Sequence, residues 1–297
     1  MQITQLISEI IAANPLQKKF LNTSVQELDE EHRKGLQDYL SFCNSHGISI
    51  NFLAGAYNFI VKETMREQMY FRKHKQYRYS FYHEVAGSVY LNDEYMSKYM
   101  YGLAITSFLW KQHQQIHRFF EQVLPRNKTG NFIEIGPGHG FYFMNALRST
   151  SFDKFTAIDL SPTSVEMTKT IVKANIDKKL ADKWNIYECD FLNLETVEKY
   201  DCLVMGEVLE HVEKPLAFLE KIYSIVNEDS FIYITTCANA PEIDHLFLFK
   251  SDQEVIDMVH EAGFKIDQQL MVPYDGHSIE ETVAKALPLN IALSLKK

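Results

Sequence analysis

Apolar positions recur at two different spacings in the two parts of this chain. From Met1 to about Gln122 they follow helical intervals, as in Leu6, Ile10 and Ile11, then Leu36, Tyr39, Leu40 and Cys43, then Ile60, Met65 and Met69. That spacing lays one apolar stripe along a helix. The block TSFLWKQHQQIHRFFEQVL places Phe108, Leu109, Ile116, Phe119, Phe120 and Val123 on one such stripe and ends at PRNKTGN, a turn cluster. Beyond it, short apolar runs alternate with helical segments. The runs are NFIEI, KFTAID, WNIYECD, YDCLVMG, SFIYITTC, KIDQQLMVP and LNIALSL; SPTSVEMTKTIVKAN, KPLAFLEKIYSIV and SDQEVIDMVHEAG lie between them. The alternation predicts βαβ units and a mostly parallel sheet. The expected organisation is a helical region over residues 1–106 and an α/β domain over 107–297.

Composition narrows the function classes. A chain of 297 residues, 46% hydrophobic and 23% charged, can bury a sizeable core. Its formal net charge of -9 opposes a nucleic-acid partner, because phosphate neutralisation requires clustered Lys and Arg. The basic stretch Lys62–Arg78 is expected to be a solvated helix face, with a docking patch for an acidic ligand as the alternative. The start lacks the pattern of a secretory signal, and no segment reaches the roughly 18 apolar residues of a membrane-spanning helix. Cys43, Cys189, Cys202 and Cys237 form no C-x-x-C, and the last three lie in apolar runs, so they are expected to be reduced core thiols of a cytoplasmic protein without membrane contact. Homodimerisation is left open.

The candidate chemistry begins at FIEIGPGHG, Phe132 to Gly140. Gly136, Gly138 and Gly140 follow the first expected strand, where glycine lets backbone approach a ligand without an intervening Cβ. Phe141 stands where a dinucleotide G-x-G-x-x-G fingerprint has its last glycine, which argues against NAD. Glu134, two residues before Gly136, would repel a pyrophosphate and attract an ammonium or sulfonium.

These residues resemble the E-x-G-x-G-x-G motif of class I S-adenosylmethionine (SAM)-dependent methyltransferases, and the resemblance runs from about Asn131 to the C-terminus. It implies a Rossmann-like, seven-stranded methyltransferase sheet with SAM as cofactor. Asp159 in AIDLS then falls where the family holds the ribose hydroxyls, with Leu160 beside it. Asp190 and Phe191 in ECDF fall at the adenine position, and Gly206 and Glu207 in YDCLVMGEVLEHVEKP beside the methionine portion. The last stretch is most similar to small-molecule O- or N-methyltransferases of the quinone-methylating type.

Glu207, Glu210, His211 and His245 cluster after the fourth and fifth expected strands. Two carboxylates and two imidazoles would suit a divalent ion, yet metal-free relatives carry nearly the same stretch, so no metal is expected. His211 or His245 is the expected general base, since imidazole takes protons near neutrality. His113 and His117 are expected to be structural. Between Tyr70 and Tyr101 lie ten Tyr or Phe residues, against 13% aromatic for the chain, which suits a lid over the cofactor that selects a small-molecule substrate. Two alternatives stay open: attack within the methionine chain of SAM, releasing methylthioadenosine, and a non-catalytic SAM-binding protein.

Overall fold

A computed structural model describes residues 1–297. The first part is helical throughout: α1 (Ile3–Ala13), α2 (Lys18–Glu27), α3 (Glu30–Ser45), α4 (Ile50–His74), α5 (Tyr82–Val85), α6 (Asp93–Leu109) and α7 (Lys111–Val123). Polar caps start the longer ones. Asp29, Ser49 and Asn92 each accept a backbone N–H from the first turn of α3, α4 and α6, satisfying donors that a helix start leaves unpaired. At the other end of α4, Lys75 adopts a left-handed conformation (φ 57°) that stops the helix.

The second part alternates strand and helix: β1 (Asn131–Ile135), α8 (Phe141–Ser149), β2 (Lys154–Asp159), α9 (Pro162–Asn175), β3 (Trp184–Glu188), β4 (Tyr200–Gly206), α10 (Pro215–Ile225), β5 (Val226–Ala238), α11 (Asp252–Glu261), β6 (Lys265–Val272), α12 (Ile279–Ala284) and β7 (Leu289–Lys296). All seven apolar runs become strands of one sheet. Its order is β3-β2-β1-β4-β5-β7-β6, parallel except for β7, which runs antiparallel to both neighbours. The order reverses between β1 and β4, whose carboxyl ends are in register at Ile135 and Met205. Such a switch point opens a crevice above the sheet.

Side-chain alternation along the strands divides the core. Phe132, Phe155, Ala157 and Val204 pack against α8 and α9 on one face, and this layer is continuous with the apolar faces of α1, α3 and α4. Ile133, Ile135, Leu203 and Met205 pack against α10 and α11 on the other. Helix α7 is fixed to the sheet by Ile116 and Phe120, and the Tyr233 hydroxyl donates to the Ile116 carbonyl at 3.1 Å. A third cluster joins Ile60, Val89, Met96, Tyr99 and Met100 of the helical part to Ile243 and Leu246 on the loop after β5. That seam roofs the crevice.

The charge run Lys62–Arg78 is largely the expected solvated face, with Lys62, Arg66, Arg72, Lys73 and Lys75 exposed, but two of its cations also pair inward. Arg66 bonds Glu63 and Glu67 at 2.8 and 2.9 Å, and Arg78 bonds Glu67 at 2.9 Å, with both glutamates buried. Two of its cations are therefore structural, because a buried carboxylate demands a partner.

Candidate active site

Between β1 and α8 the chain turns on three glycines with positive φ: Gly136 at 67°, Gly138 at 53° and Gly140 at 79°. L-residues avoid that region. A Cβ on Gly136 would also lie 2.8 Å from Val208, so only glycine fits. The turn is tied down by Gly136 N–H donating to Ile158 O (2.8 Å) and by Thr168 Oγ1 donating to Gly138 O (2.5 Å). Below it, Glu134 is 1% exposed, and neither carboxylate oxygen has a hydrogen-bond partner. Burial, followed by the nearby Asp159 charge, pushes its pKa well above the usual carboxylate range.

Three acids stand at or just past the carboxyl ends of the next strands. Asp159 ends β2 and accepts from Ser161 N–H (2.9 Å) and Ser164 Oγ (2.6 Å); burial raises its pKa, and those bonds restrain the rise. Asp190 caps the turn after β3, accepting from Leu192 N–H (3.0 Å) and Asn193 Nδ2 (2.8 Å). Glu207 follows β4 in the left-handed region (φ 53°), held by Thr235, whose backbone and side-chain oxygens both accept its N–H at 3.0 Å. Its side chain is accessible yet surrounded by protein, as befits a group facing the interior of a deep cavity. Burial and then the neighbouring Glu210 charge raise its pKa well above normal.

The histidines behind these acids divide into two kinds. His211 Nδ1 lies 3.3 Å from Asp244 Oδ2 and 3.2 Å from the Tyr90 hydroxyl. Burial alone would discharge the ring, but the Asp244 carboxylate outweighs it and raises the His211 pKa to about 10, while Asp244 falls to about 2. An imidazolium that persistent takes no proton at neutral pH. His245, with its ring centroid 4.6 Å from that of His211, is the opposite case. Burial, then the His211 charge, lowers its pKa to about 4, and Nδ1 donates to Ala240 O at 2.6 Å, which leaves Nε2 as the acceptor nitrogen. Of the two histidines, His245 is the one held neutral.

Most of these groups border one cavity of about 690 Å³ reaching from the glycine loop to the helical part. Its lining includes Gly136, Gly138, Asp159, Leu160, Asp190, Phe191, Gly206, Glu207, His211 and His245, while Glu134 and Gly140 lie behind the wall. Two sets offer metal-type donors within 4.8 Å of one another, namely Glu210 with Cys237 and His245, and His211 with Asp244 and His245. In the second, His211 and Asp244 already satisfy each other.

The model of the family described as "Methyltransferase domain" matches residues 109–286. The chain belongs to that family. It is a SAM-dependent methyltransferase by family, and SAM is its cofactor. Its sequence is similar to the "Ubiquinone biosynthesis O-methyltransferase, mitochondrial" of Dictyostelium discoideum, 25% identical over 173 residues, which are 54% of this chain and 53% of that one. The chain thus matches about half the length of that curated relative. Among solved structures, the mitomycin 7-O-methyltransferase MmcR superposes with TM-score 0.57 at 11% identity, covering 84% of this chain and 70% of its own. The phosphoethanolamine N-methyltransferase 2 of Haemonchus contortus, solved with SAM, gives TM-score 0.53 at 12% identity, covering 73% and 60%. At these identities the structures speak for the fold.

The residues of the methyltransferase fit SAM. The orphaned Glu134 carboxylate lies under a loop that only glycines can form, and a Cβ on Gly206 would strike the Tyr142 ring at 2.5 Å, so the wall by the cavity stays low there. Asp159, Asp190 and Glu207 supply acceptors along the same edge.

Sequence reasoning missed part of this wall. His113 and His117 line the cavity, where burial lowers the His113 pKa to about 4 and takes His117 well below normal; they are lining groups as well as structural ones. Their spacing of four on one helix was the signal available. His139 of the glycine loop joins them, its Nε2 3.1 Å from Ser107 Oγ. Cys189 sits past the end of β3 on the cavity wall, whereas Cys202 and Cys237 are buried as expected, Cys237 also touching the cavity. Of the ten aromatics, Tyr82, Tyr90 and Tyr99 line the cavity and the others do not. Asp244, which decides the charge of His211, carried no sequence signal at all.

Proposed function

We propose that the chain transfers the SAM methyl group to an oxygen or nitrogen of a small molecule enclosed between the helical part and the sheet. One observation carries this reading: a single cavity of about 690 Å³ joins the glycine loop and strand-end acids to a region walled by Tyr90, Tyr99, Met96 and Ile60 of the helical part. A cavity of that size with helical walls suits a small acceptor and limits water at the reacting centre.

In this reading Asp159 accepts from the ribose hydroxyls, Asp190 and Phe191 border the adenine, and Glu207 stands by the methionine portion, with Glu134 as counter-charge beneath. When bound, SAM supplies an electrophilic methyl group on a sulfonium. The protein aligns the acceptor and manages its proton. His245, neutral and with Nε2 free, takes the proton from the acceptor hydroxyl or amine. His211, kept as imidazolium by Asp244, stabilises negative charge developing on the acceptor atom. Residues 1–106 act as the cap and 107–297 as the methyltransferase domain, with α6 continuing through the junction. A cytoplasmic setting agrees with four unpaired cysteines.

The test is to incubate the full chain with SAM and a panel of phenols and amines, and to identify the nucleoside product by mass spectrometry. S-adenosylhomocysteine formed only with an acceptor present is the expected result. Methylthioadenosine accumulating from SAM alone would refute methyl transfer.

A further inference from the structure

The end of the cavity away from the glycine loop holds a carboxyl group that no side-chain cation balances. Glu242, on the loop after β5, lines it together with Thr64 and Gln68 of α4. Thr64 Oγ1 donates to Glu242 Oε1 at 2.6 Å and is the sole hydrogen-bond partner of that carboxylate. The two guanidiniums on this flank are committed elsewhere, Arg66 to Glu63 and Glu67, Arg78 to Glu67. The titratable groups facing Glu242 are Glu67 on α4, Tyr95 and Tyr99 on α6, Tyr77, Cys237, Asp244 and His211. Only His211 among them is cationic, and Asp244 holds it.

A second unpaired carboxyl oxygen lies between the two ends, beside Glu207 and Cys237. Glu210 is 0% exposed and lines the same cavity; Thr236 donates to its Oε2 at 2.7 Å, but Oε1 has no partner. A carboxylate enclosed in protein without a cation is unfavourable and holds its proton instead, so a ligand that brings a cation can take that proton's place. Tyr90 and Tyr99 line the Glu242 end, and tyrosine rings attract cations.

We propose that the acceptor molecule carries a protonated amine and that Glu242 is its anchor, which makes the substrates ammonium-bearing small molecules rather than neutral or anionic ones. This rests on the methyl-transfer reading. An ammonium has no lone pair to methylate, so anchor and methylated atom are different groups of one molecule, the nucleophile lying toward His245. Burial, with the Asp244 and Glu67 charges, raises the Glu242 pKa to about 8 against the bond from Thr64. Pairing with an ammonium therefore expels the carboxyl proton, and amine affinity rises as pH rises toward about 8.

The experiment uses the full chain saturated with S-adenosylhomocysteine and titrates three probes by calorimetry: tyramine, 4-ethylphenol and 4-hydroxyphenylacetate. They share ring and chain length and differ in charge. Tyramine is expected to bind tightest by about tenfold or more, the worth of one charge-assisted bond. Glu242→Gln should erase that margin while leaving S-adenosylhomocysteine and 4-ethylphenol binding unchanged. Tyramine no tighter than either counterpart, or not bound, overturns the proposal, and this arm needs no variant. A margin that survives in Glu242→Gln overturns Glu242 as the anchor. The initial S-adenosylhomocysteine titration reports on the underlying reading separately: its failure would remove that reading, and this one with it.

Discussion

The two ends of the cavity are built from different kinds of sequence. At the glycine-loop end, every group lies within a few positions of a strand terminus: Gly136 and Gly138 after β1, Asp159 at the end of β2, Asp190 after β3, Glu207 after β4. Strand order and register bring these short motifs together, so each can be read locally. At the other end, Thr64 comes from α4, Tyr90 from the stretch before α6, Tyr99 from α6, and Glu242, Asp244 and His245 from the loop after β5. Their meeting depends on how the helical part docks on the sheet. The cofactor end is a property of the sheet, and the acceptor end is a property of the docking.

The largest expected effect separates chemistry from binding. His245→Ala should lower kcat by about 100- to 10,000-fold, the usual contribution of a general base, with S-adenosylhomocysteine affinity unchanged by calorimetry. Because the His245 pKa is about 4, the base stays neutral through mild acid, and the wild-type rate should keep its proton acceptor until pH falls toward about 4. A rate that already fell near the ordinary histidine value would place the base elsewhere.

Next comes the ion pair that joins the two loops beneath the cap. Asp244→Asn leaves a buried imidazole without its carboxylate and should cost about 3–5 kcal/mol of stability, as broken buried pairs do. Its pH signature is specific. The His211 pKa is raised to about 10, so its stabilisation is complete below the ordinary value of 6.5 and is lost as pH climbs through about 10. Asp244 is depressed to about 2, so its share is complete above its ordinary value of 3.8 and is lost as pH falls through about 2. Wild-type melting temperature should decline between pH 6.5 and about 10, and the variant should lose that decline.

Gly136→Ala acts on the other end. A left-handed alanine costs roughly 1–2 kcal/mol, and its Cβ meets Val208 at 2.8 Å. S-adenosylhomocysteine binding should weaken by about tenfold, while the charge preference among amine and phenol probes persists. Tyr90→Phe is the smallest change: it removes the hydroxyl 3.2 Å from both His211 Nδ1 and Asp244 Oδ2 and should cost about 1 kcal/mol in thermal stability.

The legibility of the molecule follows the same divide. The inner strands β1, β2, β4, β5 and β7 were visible as apolar runs because they are largely buried, whereas the edge strands β3 and β6 are mostly exposed and show weaker runs, and the helical part showed its spacing from Leu6 to Val123. The glycine loop and its acids could be placed by position alone. Glu134 is singled out by its place before the glycines, yet sequence could not tell that it is buried behind the wall rather than on it. His211 and His245 looked equivalent until Asp244 charged one and burial discharged the other; such distinctions live in distances, not in spacing. His113 and His117 were expected to be structural, and only the packing of α7, with His117 against the Phe141 and Tyr142 rings and His113 against Trp110, brings them to the cavity.

The most direct measurement is a calorimetric titration of S-adenosylhomocysteine into wild type, Asp159→Ala and Glu242→Gln. If the cofactor end belongs to the sheet and the acceptor end to the docked cap, wild type and Glu242→Gln bind alike. Asp159→Ala then loses one or two charge-assisted bonds of about 1.5–3 kcal/mol each. Equal affinity in wild type and Asp159→Ala, or a loss in Glu242→Gln as large as that in Asp159→Ala, would contradict the division.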